Sequence, residues 1–160
     1  MNLKHEQGFS LIELLIVVAI IGIISSLAIP NLLASRRAAN EGSAFSAMRS
    51  IHSAQTTYLN TGGAGKYGTL ANLVSERLID ETFSDGKKSG YTVLCPDTYL
   101  TDGPPPTYFA TGNPADLGLA SRTGNRSFSI AEDGIVRGKV SDVPAANHTD
   151  ATDATKWPPL

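Results

Sequence analysis

The chain has a single cysteine, Cys95, among its 160 residues. No intramolecular disulfide is possible, so a disulfide-stapled fold is excluded. The expected setting for Cys95 is as a small buried hydrophobe in a strand; the alternative is an exported thiol that pairs between chains. Charge is also scarce. Asp, Glu, Lys and Arg make up 18% and sum to −2, which is not the basic footprint of a dedicated nucleic-acid binder. The three histidines, His5, His52 and His148, lie too far apart in sequence to form a metal-ligand pair. There is no nucleophile elbow, phosphate loop, zinc pattern or EF-hand loop, so neither an enzyme nor a cofactor or metal site is expected. Asp97, Asp102, Asp116, Asp133 and Asp142 are scattered through loops, and most of them read as solvated turn residues.

The most informative absence is local: residues 14–35 contain no charge at all. That run is long enough to cross a bilayer, which takes about 20 residues. Lys4 precedes it and Arg36-Arg37 follows it, so flanking charge leaves the orientation open. An ordinary secretory signal would place a small-residue cut site after the apolar stretch. Here no such site follows, and the polar-to-apolar break comes before it, between Gly8 and Phe9. No cysteine near the run supports a lipoprotein. Glu13 stands inside the apolar segment, close to its start. An acid at mid-membrane costs roughly 2.5–3.5 kcal/mol and is a functional candidate; at the interface it would snorkel to water.

The string Gly8-Phe9-Ser10-Leu11-Ile12-Glu13 resembles the type III signal of type IV prepilins and pseudopilins. A short polar leader ends in glycine, an aromatic residue follows, an acid comes five residues after the break, and an apolar helix runs on. The resemblance is strong over about residues 1–60 and weaker beyond. It implies an α+β ladle fold: a helix over about 9–60 with an antiparallel β-meander of about four strands on its C-terminal half. It also implies a cleaved leader (1–8), a membrane and filament-core helix (9–35), a globular head (36–140) and an acidic tail (141–160). The resemblance further implies that a membrane peptidase would cut after Gly8, where no side chain obstructs it, and would methylate the new amine on Phe9. Glu13 would then pair with the Phe9 amine of an adjacent subunit and set register, as one polar residue does in a coiled coil. Gly22 and Pro30 weaken the helix, and Pro30 matches the proline that often kinks it in this family.

The implied precursor is single-pass in the inner membrane, with its head in the periplasm and lipid around its helix. The implied partners are copies of itself, the peptidase and N-methyltransferase, an assembly platform with an ATPase motor, and an outer-membrane secretin. The implied product is a type IV pilus for adhesion, twitching motility or DNA uptake. Two alternatives stand beside it: a type II secretion pseudopilin and a non-polymerising tethered head. The calcium site of major secretion pseudopilins is not visible as a motif, which favours the pilus.

Beyond Pro30 the pattern turns amphipathic. Phe45, Met48, Ile51, Gln55 and Tyr58 step by three or four, with Ala44, Ala47, Ala54 and Leu59 alongside, which predicts a helix with one buried face. From Phe9 to Asn60 it would be about 78 Å long. Thr69 is placed to cap a second helix over 70–79, and residues 84–88 read as a basic turn. Strands are expected at 90–95, 107–111, 126–130 and 134–137, the last two joined as a hairpin through Asp133-Gly134. The tail either wanders or lies over the sheet with Trp157 as its anchor.

Overall fold

The computed structural model describes residues 9–96, 105–118 and 121–160. The leader with Gly8, and the acids Asp97 and Asp102, lie outside these residues. The chain divides into two units after Ser35. Helix α1, Leu11–Asn60, contributes to both.

In the first unit the side chains of α1 are exposed or half-buried throughout. Among the described residues, α1 is the one helix long and apolar enough to cross a membrane, by length and composition. A helix closes its backbone hydrogen bonds within itself, as a hydrocarbon setting demands, except where Pro30 supplies no N–H.

In the second unit α1 buries Ala44, Ala47, Met48, Ile51, Ala54 and Gln55, the expected face. Phe45, Tyr58 and Leu59 are half-buried at its margins. This face packs on one antiparallel sheet of five strands in the order β1 to β5: Lys87–Lys88, Tyr91–Leu94, Phe109–Pro114, Ser127–Ala131 and Arg137–Lys139. Alternate residues in a strand point to opposite faces. Tyr91, Val93, Ala110, Phe128 and Ile130 therefore join the helix residues in the main core. Phe109 and Ala131 turn the other way and meet Ala145, Ala151 and Trp157 in a second cluster. Gly112 in β3 permits the close approach of helix and sheet: a Cβ there would stand 3.1 Å from Met48 Cε.

The sheet departs from expectation in several places. The basic turn contains β1, whose two lysines pair with Tyr91 and Thr92. Lys88 lies over the Phe83 ring at 4.1 Å. The last two strands are not joined by a tight hairpin. Residues 134–136 belong to a loop, and pairing resumes at Arg137 opposite Ser129. The cause is Asp133: its carboxylate accepts from the Ile135 N–H at 3.0 Å and from two Arg137 nitrogens at 3.2 and 2.6 Å, holding the chain in a bend. Asp133 is thus the counter-charge of a buried arginine rather than a solvated turn residue. Asp142, also read as solvated, pairs with Arg122.

Helix α2, Leu70–Ser75, is shorter than expected, but Thr69 does cap it, with the Asn72 side chain bonding back to the Thr69 backbone. The C-terminal residues lie on the second face of the sheet. Asn147 caps α3, His148–Thr152. Ser129 Oγ donates to the Ala151 carbonyl at 3.2 Å, and Trp157 is 2% exposed. The Gly138 N–H donates to the Pro158 carbonyl, and the Leu160 N–H to that of Val136. Trp157 is the anchor in one of the two arrangements open for the tail.

Candidate functional site

The expected site residues cluster at the start of α1. Phe9 is 87% exposed and precedes the helix. Ser10 comes next, and its carbonyl accepts the Leu14 N–H at 3.3 Å. Glu13 reaches back along its own helix, accepting the Ser10 N–H on Oε2 at 2.9 Å. A helix start leaves backbone donors without partners, and an acid at the third helical position fills one and opposes the helix dipole. Within one chain, then, Glu13 engages Ser10 and not Phe9. Sequence reasoning missed this role, although Ser10-x-x-Glu13 before an apolar run is the capping-box pattern.

Gly22 has open space where a Cβ would be, so no close contact within the chain requires glycine there. Pro30 lies inside α1 and supplies no N–H to the preceding turn. Ser26 Oγ donates to the Ile23 carbonyl and Ser35 Oγ to that of Asn31, so these hydroxyls are satisfied without water.

The head holds a second set of polar groups. Gln55 is fully buried in α1; its Nε2 donates to the Gly68 carbonyl at 2.6 Å and its Oε1 accepts the Gly68 N–H at 2.9 Å. The same amide donates to Cys95 Sγ at 3.4 Å. Cys95 follows β2 instead of lying within it, and is half-buried. Burial pushes its thiol up to about 12 against the opposing Gln55 contact, so near neutrality it is a thiol, not the thiolate that exchange chemistry needs. His52 Nδ1 and Tyr108 Oη share a hydrogen bond at 2.8 Å, and Tyr67 packs on Tyr108. Burial raises the Tyr108 phenol well above its ordinary value. Among the described residues, no group of three or more His, Cys, Asp or Glu side chains is placed to hold a metal ion.

A long N-terminal helix whose apolar half is exposed, followed by a five-stranded antiparallel sheet, is consistent with the pilin fold. The chain carries the sequence signature of that class: residues 3–29 match the family model of the prokaryotic N-terminal methylation motif. Its relatives are type IV pilins and type II secretion proteins. It is 56% identical over 39 residues to the type IV wide pilus major component PilA4 of Thermus thermophilus, covering 24% of this chain and 30% of that protein. It is 36% identical over 68 residues to the type IV major pilin protein PilA of Myxococcus xanthus, covering 42% and 30%. Identity to the type II secretion system core protein G of Aeromonas hydrophila is 33% over 58 residues, covering 36% and 41%. The chain thus spans only about a third of the length of the curated relatives it matches. No solved structure matches it significantly.

Proposed function

We propose that this chain is a structural subunit of a type IV pilus, anchored in the inner membrane through residues 9–35, cut after Gly8, N-methylated on Phe9 and polymerised through its N-terminal helix. The carrying observation is the apolar half of α1, residues 11–35, which is exposed or half-buried throughout, overlaps a methylation motif and bears one acid, Glu13. Left alone in water such a helix is untenable; a bilayer and a bundle of like helices both cover it. A simple tether would need neither the motif nor the acid. The relatives, being structural pilins, fit a chain that is not an enzyme. The finer reading adds an assembly platform with its ATPase and an outer-membrane secretin as partners. It places adhesion, twitching motility or DNA uptake as the outcome.

A second reading, a pseudopilin of a type II secretion system, is supported by the two core protein G relatives, at 33% and 36% identity. The pilus is preferred because the wide-pilus relative matches at 56%. Mass spectrometry of filaments sheared from producing cells separates the two. The pilus reading expects an abundant protein beginning at N-methylated Phe9. A mature form confined to the envelope supports the pseudopilin, and a chain still carrying residues 1–8 in active cells overturns both.

A further inference from the structure

The apolar run ends abruptly. Residues 14–35 make about 33 Å of helix, close to the roughly 30 Å of a bilayer's hydrocarbon core. The next two residues in the chain are Arg36 and Arg37. Arg36 is exposed and Arg37 half-buried.

Three other arginines of the head are engaged. Arg122 pairs with Asp142 and Arg137 with Asp133, while Arg49 lies over the Phe45 ring at 4.5 Å. Arg36 and Arg37 have no carboxylate partner among the described residues. The natural one is Glu41, one helical turn beyond Arg37, where an ion pair would form on the helix surface. Glu41 is used elsewhere: its Oε1 accepts the Asn125 N–H at 2.7 Å, which ties the helix to the start of β4. Two adjacent guanidiniums are therefore left without an anion at the depth where a spanning helix leaves the hydrocarbon.

We propose that Arg36 and Arg37 form a docking pair for the phosphates of acidic phospholipids at the membrane surface before assembly. Guanidinium matches phosphate in both charge and donor geometry. This rests on the membrane-anchored reading above, but not on which way the helix is inserted, since the pair meets whichever leaflet faces the head.

The test uses the detergent-solubilised full chain, titrated with phosphatidylglycerol or phosphatidylcholine and read by native mass spectrometry. The wild type is expected to retain phosphatidylglycerol preferentially. Each arginine replaced by glutamine should weaken that retention about fivefold, the equivalent of ~1 kcal/mol per basic residue near the surface. Arg36→Lys/Arg37→Lys should keep most of the preference, and circular dichroism should show an intact head in all variants. Equal retention of the two lipids by the wild type overturns the proposal, as does an unchanged preference in Arg36→Gln/Arg37→Gln. A carbonate wash of vesicles bearing the chain separates the two levels. Release of the chain would overturn the membrane reading and the docking pair with it; an integrated chain without lipid preference would overturn the docking pair alone.

Discussion

Gln55 sits in the middle of the helix face that the sheet covers, where an apolar residue of similar size would be the simpler choice. Its amide closes a two-way hydrogen bond with Gly68 and so fixes the segment that leaves α1. Gln55→Leu keeps the volume but strands a buried donor and a buried acceptor, each worth about 1–3 kcal/mol. Urea unfolding of the head should show a lower midpoint with an unchanged slope. Asp133 governs a different variable. Burial pushes its carboxyl up, but the Arg137 guanidinium and the Ile135 N–H outweigh that and hold it below the ordinary carboxylate range. A depressed folded-state value means stability that is present above the unfolded value, about 3.9, and is lost as pH falls through the lower folded one. Thermal melts at descending pH should show that loss in the wild type. Asp133→Asn should lower the melting temperature at neutral pH and flatten the acid limb.

The element with the most at stake is the C-terminal segment. It covers Phe109 and Ala131 on the face of the sheet that α1 does not reach, and Trp157 fills the gap. Trp157→Ala should cost about 3–5 kcal/mol, measurable as a large drop in the thermal midpoint of the head; an unchanged midpoint would show that the segment contributes nothing. From sequence, Trp157 stood out only as the one aromatic residue in a largely polar stretch, and no periodicity indicated what it covers. The helix face was far more legible, because a 3.6-residue period over Ala44–Gln55 has a single geometric solution. Strands β2 to β4 were found with shifted ends, since hydrophobic alternation locates a strand better than its boundaries. Strand β1 could not be found this way: Lys87 and Lys88 carry no apolar signal, and only pairing with β2 makes them a strand. The Asp133-Gly134 pair does mark a turn, closed by the Gly134 N–H on the Ala131 carbonyl at 3.0 Å, but the pull of Arg137 on Asp133, which delays strand pairing to Arg137, left no trace in the local pattern. At the candidate site Glu13 stands out because it is an acid in an apolar run, while its bond to the Ser10 backbone is encoded only in the Ser10-x-x-Glu13 spacing.

For the molecule as a whole, the proposed filament turns on an exchange at Glu13. In the single chain the carboxylate already caps its own helix, so pairing with a neighbour's Phe9 amine substitutes one partner for another. The register then depends on charge and not merely on capping. Glu13→Ala should give a stable, membrane-inserted protein that assembles poorly, and Glu13→Gln should retain more of the cap than of the assembly. Electron microscopy of strains lacking the wild-type copy is the check, and normal filaments from Glu13→Ala would sink the pairing.

The two borders of the sheet bear on how such subunits can be crowded together. Strand β1 is two residues long and both are lysines, so a second sheet approaching it meets like charge. Along β5, Pro159 bridges to Arg137, and proline offers no N–H to an incoming strand. The heads are thus poor templates for one another's backbones, and copies held side by side at high density are steered away from fusing into a continuous cross-strand aggregate. In the proposed filament, order would then come from the helices, with each sheet left as a closed surface beside its neighbours.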